Sequence, residues 1–140
     1  MPSSPRARVL VADDHQALLE RVVAILAGEF SVVGTVTDGT QLVAAEAALQ
    51  PDVLVVDIRM PGMSGLEAAA QIRRRGSRVP VVCLTACSVA DMADAAWDAG
   101  ASAYVLKAAI ARDLVPAVKA VLHGERFVSD ADAPLGVRAR

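Results

Sequence analysis

Short apolar runs alternate with amphipathic stretches along this chain. Runs rich in Val, Leu and Ala at 7–12, 31–36, 52–57, 79–85 and 103–106 have the length and composition of buried strands. Apolar positions at helical spacing predict helices over 16–28, 40–49, 65–75, 89–99 and 110–123. Asp38-Gly39, Pro61-Gly62 and Gly76 read as turns, and Gly28 and Gly100 suit helix C-terminal caps. Alternating strands and helices predict an α/β fold: a parallel sheet with helices on both faces and right-handed crossovers.

Periodicity does not fix the strand order. The commonest order for five such strands is 2-1-3-4-5, which makes the first and third strands neighbours and puts ligands outside the carboxyl ends. Asp13 and Asp14 end the first strand, Asp57 the third and Thr85 the fourth, and Lys107 follows the fifth. In that order these polar residues all fall on one rim. A charge next to a buried strand such as 53–56 is costly unless it is solvated, paired or metal-bound. Asp57 is therefore a candidate working residue.

Carboxylates gathered on one rim repel; a like-charge pair at ~4 Å costs about 4 kcal/mol at an effective dielectric of ~20. A divalent cation removes the conflict, and oxygen ligation with room for waters suits Mg2+, with Mn2+ as the substitute. A metal with open positions, the Lys107 ammonium and the Thr85 hydroxyl together make a receptor for a tetrahedral dianion. Phosphoryl transfer needs positioning and charge neutralisation. The nucleophile would be a carboxylate, giving an acyl phosphate, and Asp57 at mid-rim is the best placed.

Composition narrows the class. A chain of 140 residues suits one domain, and folding at that length buries roughly 68% of the unfolded surface without staples. The net charge of −2 gives no electrostatic case for direct nucleic-acid binding. Hydrophobic content is 54%, yet the longest apolar run, 22–27, falls far short of the ~20 residues of a membrane span. Cys83 and Cys87 read as reduced packing thiols in a cytoplasmic protein rather than a disulfide.

Together, Asp13-Asp14, the run Asp-Ile-Arg-Met-Pro-Gly from Asp57, Thr85-Ala86, and Lys107 after Gly100-Ala-Ser-Ala-Tyr-Val-Leu resemble the receiver domain of bacterial two-component response regulators. The likeness spans about 7–124. Val-Ala-Asp-Asp-His ending at His15 and Gly-Glu-Arg-Phe-Val ending at Val128 are most similar to the branch whose receivers usually precede a LuxR-type helix-turn-helix domain. The resemblance implies a flavodoxin-like doubly wound (βα)5 fold. It implies a phosphoryl group on Asp57, donated by a histidine kinase or phosphotransfer protein. Asp14 would bind Mg2+ directly, Asp13 through water, and the Arg59 backbone carbonyl would add a ligand. Thr85 and Lys107 would hold phosphoryl oxygens, and Tyr104 would be the switch aromatic, turning inward as Thr85 moves. Homodimers would form through the fourth and fifth predicted helices with the fifth strand, or through the first and fifth helices.

Several positions depart from the family or admit plainer readings. Ala108 stands where many relatives carry a proline in a cis peptide, which leaves that bond's geometry open. Arg59 and Cys87 flank the phosphoryl position, where the family tunes hydrolysis, and Trp97 lies beside the family's output face. Taken alone, Asp13-Asp14 suits a solvated helix start, Thr85 a β-former and Tyr104 a core residue. His15 and His123 read as surface residues at helix ends, and 73–75 as an exposed arginine helix end. A haloacid-type phosphohydrolase would need a second acid where Arg59 stands. A receiver-like domain acting without phosphorylation would not need the full set of rim residues. The expected organisation is a disordered 1–6, a receiver over 7–124, and a tail or truncated linker over 125–140 too short for a helix-turn-helix domain. A stand-alone receiver is favoured over a fragment of a DNA-binding regulator.

Overall fold

The computed structural model describes residues 6–86 and 100–129. Strand β1 (Arg8–Ala12) leads to helix α1 (Gln16–Ala27), β2 (Ser31–Val36), α2 (Gly39–Leu49), β3 (Val53–Asp57), α3 (Gly65–Arg74) and β4 (Val81–Thr85). After a gap come β5 (Ala103–Leu106), a 3-10 turn (Lys107–Ala109), α4 (Ile110–Leu122) and β6 (Phe127–Val128). The helix expected at 89–99, with Trp97 and Cys87, lies outside the described residues.

The strands form one parallel sheet in the order β2-β1-β3-β4-β5-β6. The 2-1-3-4-5 order expected for a doubly wound fold is therefore present. Alternation along the strands sorts the core into two layers. Val9, Val11, Val53, Val55, Val82 and Leu84 face α1 and α4, where Leu19, Val22, Leu26, Leu114 and Val118 meet them. Leu10, Leu54, Val56, Val81 and Cys83 face α2 and α3, meeting Leu42, Ala68, Ala69 and Ile72. The central strands β3 and β4 are buried along their whole length, as an apolar run covered on both faces requires.

Helix starts follow local chemistry. The Asp38 side chain caps α2 by accepting from the Gln41 N–H at 2.7 Å. Ser64 and Glu67 form a reciprocal capping box at α3, with both bonds at 3.1 Å.

Three structural details bear on the expectations. After α4, Phe127 and Val128 pair with Ala103 and Tyr104, and Ser129 is buried. Two residues are too few to carry a period, so the pairing had no sequence signal. Arg73 is a clamp rather than part of an exposed helix end. Its guanidinium donates to the carbonyls of Ser77 (2.8 Å), Val79 (2.9 Å) and Gly100 (2.9 Å), tying the end of α3 to the loop that leads into β4 and to the loop that leads into β5. The described residues contain no cis peptide, so the Lys107–Ala108 bond is trans.

Candidate functional site

The sheet register assembles the site. Ala12 lies beside Val56, so Asp13 and Asp57 emerge together at the carboxyl ends of neighbouring strands. Asp57 pairs with Leu84 and Thr85 with Leu106, which brings Thr85 and Lys107 to the same rim. Asp13, Asp14, Asp57 and Lys107 meet as the sequence predicts. Thr85 is buried at the end of β4.

Asp57 is 2% exposed, with the Lys107 ammonium 3.1 Å from Oδ2. Its Oδ1 accepts from the Arg59 backbone N–H at 3.2 Å. Asp13 is fully buried; its Oδ1 accepts from the His15 N–H at 2.9 Å, while Oδ2 has no hydrogen-bond partner. Such an orphaned buried acceptor is costly and asks for an explanation. Burial pushes the Asp13 carboxyl above its ordinary range. The His15 N–H opposes that rise, the Asp57 charge adds to it, Lys107 opposes it and Asp14 adds to it. Asp14 is one-third exposed and has the His15 ring 3.7 Å away. One ligand atom from each of Asp13, Asp14, His15 and Asp57 lies within 4.8 Å of all the others. The orphaned oxygen and the oxygen-rich set fit a hard divalent cation.

The surroundings hold this arrangement in place. Gly65 opens α3 against the end of β3: a Cβ there would overlap the Asp57 carbonyl oxygen and stand 2.6 Å from Val56 Cγ1. Its N–H donates to the Ile58 carbonyl at 2.9 Å, closing the turn after Asp57. Gly65 has no place among the predicted site residues; its one signal in the sequence is a glycine directly after the capping residue Ser64. An open depression of about 510 Å3, lined by Asp14, Ile58, Arg59, Met60, Pro61 and Ser64, opens to solvent beside Asp14. Tyr104 is fully buried in the layer under α2 and α3, turned inward. Cys83 lies in the same layer, its thiol pushed up to about 12 by burial and then by the Asp57 charge, so it packs rather than reacts.

A doubly wound parallel sheet thus gathers three aspartates and a lysine at its carboxyl rim, and the chain falls in the class of receiver domains. The family model of the response regulator receiver domain matches residues 9–119. The response regulator GacA of Pseudomonas viridiflava is 34% identical over 124 residues, covering 87% of this chain and 58% of that protein. The transcriptional regulatory protein PdtaR of Mycobacterium tuberculosis is 35% identical over 113 residues, covering 80% and 55%. Among solved structures, the receiver domain of the putative response regulator NarL from Mycobacterium tuberculosis has a TM-score of 0.82 at 33% identity, over 86% of this chain and 99% of that one. A LuxR-family response regulator from Aurantimonas sp. SI85-9A1 has a TM-score of 0.84 at 29% identity, over 91% of each chain. The chain belongs to the response regulator receiver family of two-component signalling. It spans a little over half the length of the curated relatives it matches. No helix among the described residues is long and apolar enough to cross a membrane.

Proposed function

We propose that the chain is a phosphoacceptor switch: Asp57 takes a phosphoryl group from a histidine kinase or phosphotransfer protein, and the acyl phosphate changes contacts with other proteins. The supporting observation is the company of Asp57. A buried carboxylate has an ammonium at 3.1 Å and, on the neighbouring strand, an acid with an orphaned oxygen. A structural carboxylate would have its oxygens satisfied.

In the proposed step an Asp57 oxygen forms a bond to phosphorus while the donor's P–N bond breaks, and the freed imidazole takes up a proton. A Mg2+ or Mn2+ ion held by Asp13, Asp14, Asp57 and the Arg59 backbone carbonyl would neutralise the charge that gathers between nucleophile and phosphoryl oxygens. Lys107, already at the carboxylate, pairs with a phosphoryl oxygen, and the Thr85 hydroxyl donates to another. The modification adds negative charge and acceptor oxygens, which draws Thr85 and Lys107 toward it. Tyr104, paired with Val128 of β6 and already turned inward, would carry that shift into the core. The dimer faces proposed are the segment 89–99 with β5 and α4, or α1 with α4. The setting proposed is the cytoplasm. A second reading, a receiver within a DNA-binding regulator, is supported by the likeness to the DNA-binding response regulator MtrA of Mycobacterium leprae, 35% identical over 117 residues and covered to 52% of its length.

The test is the intact mass of the chain after incubation with acetyl phosphate, with and without Mg2+, beside Asp57→Ala. One phosphoryl adduct that needs both Mg2+ and Asp57 is the expected result. An adduct that survives in Asp57→Ala, or none with a purified kinase as donor, would overturn the proposal.

A further inference from the structure

The acidic cluster contains a residue that the receiver chemistry above does not use. His15 is the N-cap residue of α1, yet its side chain makes no capping bond. Only its backbone N–H is engaged in the site, donating to Asp13 Oδ1 at 2.9 Å. That bond fixes the residue beside the acids while the ring stays three-quarters exposed, 3.7 Å from Asp14 Oδ1. A ring nitrogen shares the 4.8 Å envelope that also holds ligand atoms of Asp13, Asp14 and Asp57.

That envelope can be compared with what one ion requires. Two ligand atoms on one ion, each at ~2.1 Å, stand at most about 4.2 Å apart. The envelope exceeds this by a few tenths of an ångström. The two most exposed side chains of the set, His15 and Asp14, are those free to close the gap. The buried member aimed into the cluster, Asp13 Oδ2, has no protein partner at all. The cluster is therefore more than a set of surface acids that happen to be adjacent.

We propose that His15 is a nitrogen ligand of the cation site, adding affinity for first-row divalent cations (Mn2+, Co2+, Ni2+, Zn2+) that Mg2+ at the same site does not gain. Imidazole suits those ions, whereas Mg2+ demands oxygen and gives up water reluctantly. Three carboxylates alone already favour the later first-row ions; one added imidazole steepens that preference, and the increment is what His15 would supply. The proposal rests on the reading of the acidic rim as a cation site. It adds metal selectivity set by a residue adjacent in sequence to Asp14.

The test uses the 140-residue chain, His15→Gln, and His123→Gln as control for the other histidine. Mg2+ and Ni2+ affinities are measured by competition with a chromophoric chelator. Bound Mn2+ is examined by pulsed EPR for modulation from an imidazole nitrogen. We expect His15→Gln to weaken Ni2+ at least roughly tenfold, about 1.4 kcal/mol, with Mg2+ changed less than about twofold. The nitrogen modulation should vanish in His15→Gln and persist in His123→Gln. Equal Ni2+ affinity in wild type and His15→Gln, with Mg2+ still bound and no nitrogen modulation, overturns the role of His15 and leaves the cation site standing. Failure of every cation to bind the wild type overturns the cation site and this inference together.

Discussion

Two buried acids in this fold live opposite lives. Asp13, at the end of β1, leaves one oxygen with no partner, and burial holds its carboxyl above the ordinary range. Asp113, in the first turn of α4, has both oxygens engaged. Arg112 donates to each of them at 2.9 Å, and the Ser129 hydroxyl donates to Oδ2 at 2.6 Å. Burial alone would raise the Asp113 carboxyl, but the hydrogen bonds from Arg112 and Ser129 and the Arg112 charge hold it below its usual value. A fully satisfied acid is a fastener. Here it pins the segment after β6 to α4, while the Ser129 N–H reaches the Tyr104 carbonyl at 2.8 Å. An acid left unsatisfied in a buried position lowers stability, and a working site is the common reason to keep it.

Substitutions should separate the two roles. The largest effect is expected at the rim: Asp57→Asn should abolish phosphoryl uptake from acetyl phosphate while leaving a cooperative thermal melt. Asp13→Asn should also lose Mg2+-dependent uptake, yet melt at or above the wild-type temperature, because it removes a buried like charge beside Asp57. Loss of both uptake and fold in Asp13→Asn would break the contrast.

At the fastener the signs reverse. Asp113→Ala leaves the buried Ser129 hydroxyl without its acceptor and should cost about 1–3 kcal/mol in denaturant unfolding, with the phosphoryl adduct retained. Ser129→Ala removes one hydrogen bond to the same carboxylate and should cost about 1 kcal/mol, again with the adduct retained.

The smallest effect concerns pH. The folded-state value of Asp113 lies below its unfolded value of ~3.9, so its contribution is full above that range and disappears as pH falls through the folded value. The melting difference between wild type and Asp113→Asn should therefore narrow as the pH is lowered below about 4. A difference that stays constant would mean that Asp113 does not titrate with folding.

The contrast also explains what was legible in the sequence. The strands and the rim residues could be read because buried strands demand apolar residues, so Asp13, Asp57, Thr85 and Lys107 stood out at strand ends; the sheet order followed only from the commonest arrangement of such folds. Asp113 did not stand out: in an amphipathic helix an acid beside Arg112 looks like any solvated pair, and only tertiary closure brings Ser129 to it. Arg73 gave no sign of its clamp, since its three acceptors are backbone carbonyls, two in the loop just after α3 and one at Gly100, and a backbone acceptor leaves no residue pattern in the sequence. Gly65 and His15 carry roles that depend on how closely the start of α3 and the start of α1 approach the end of β3.

The most direct test of the central claim, that the unsatisfied rim exists to phosphorylate one carboxylate, is chemical mapping of the acyl phosphate. The chain would be phosphorylated with Mg2+ and reduced with borohydride, which converts an acyl-phosphorylated aspartate to homoserine. Peptide mass spectrometry then locates the conversion. Homoserine at position 57 alone is the result this account predicts. Homoserine at 13, at 14 or at 113, with Asp57 intact, would contradict it.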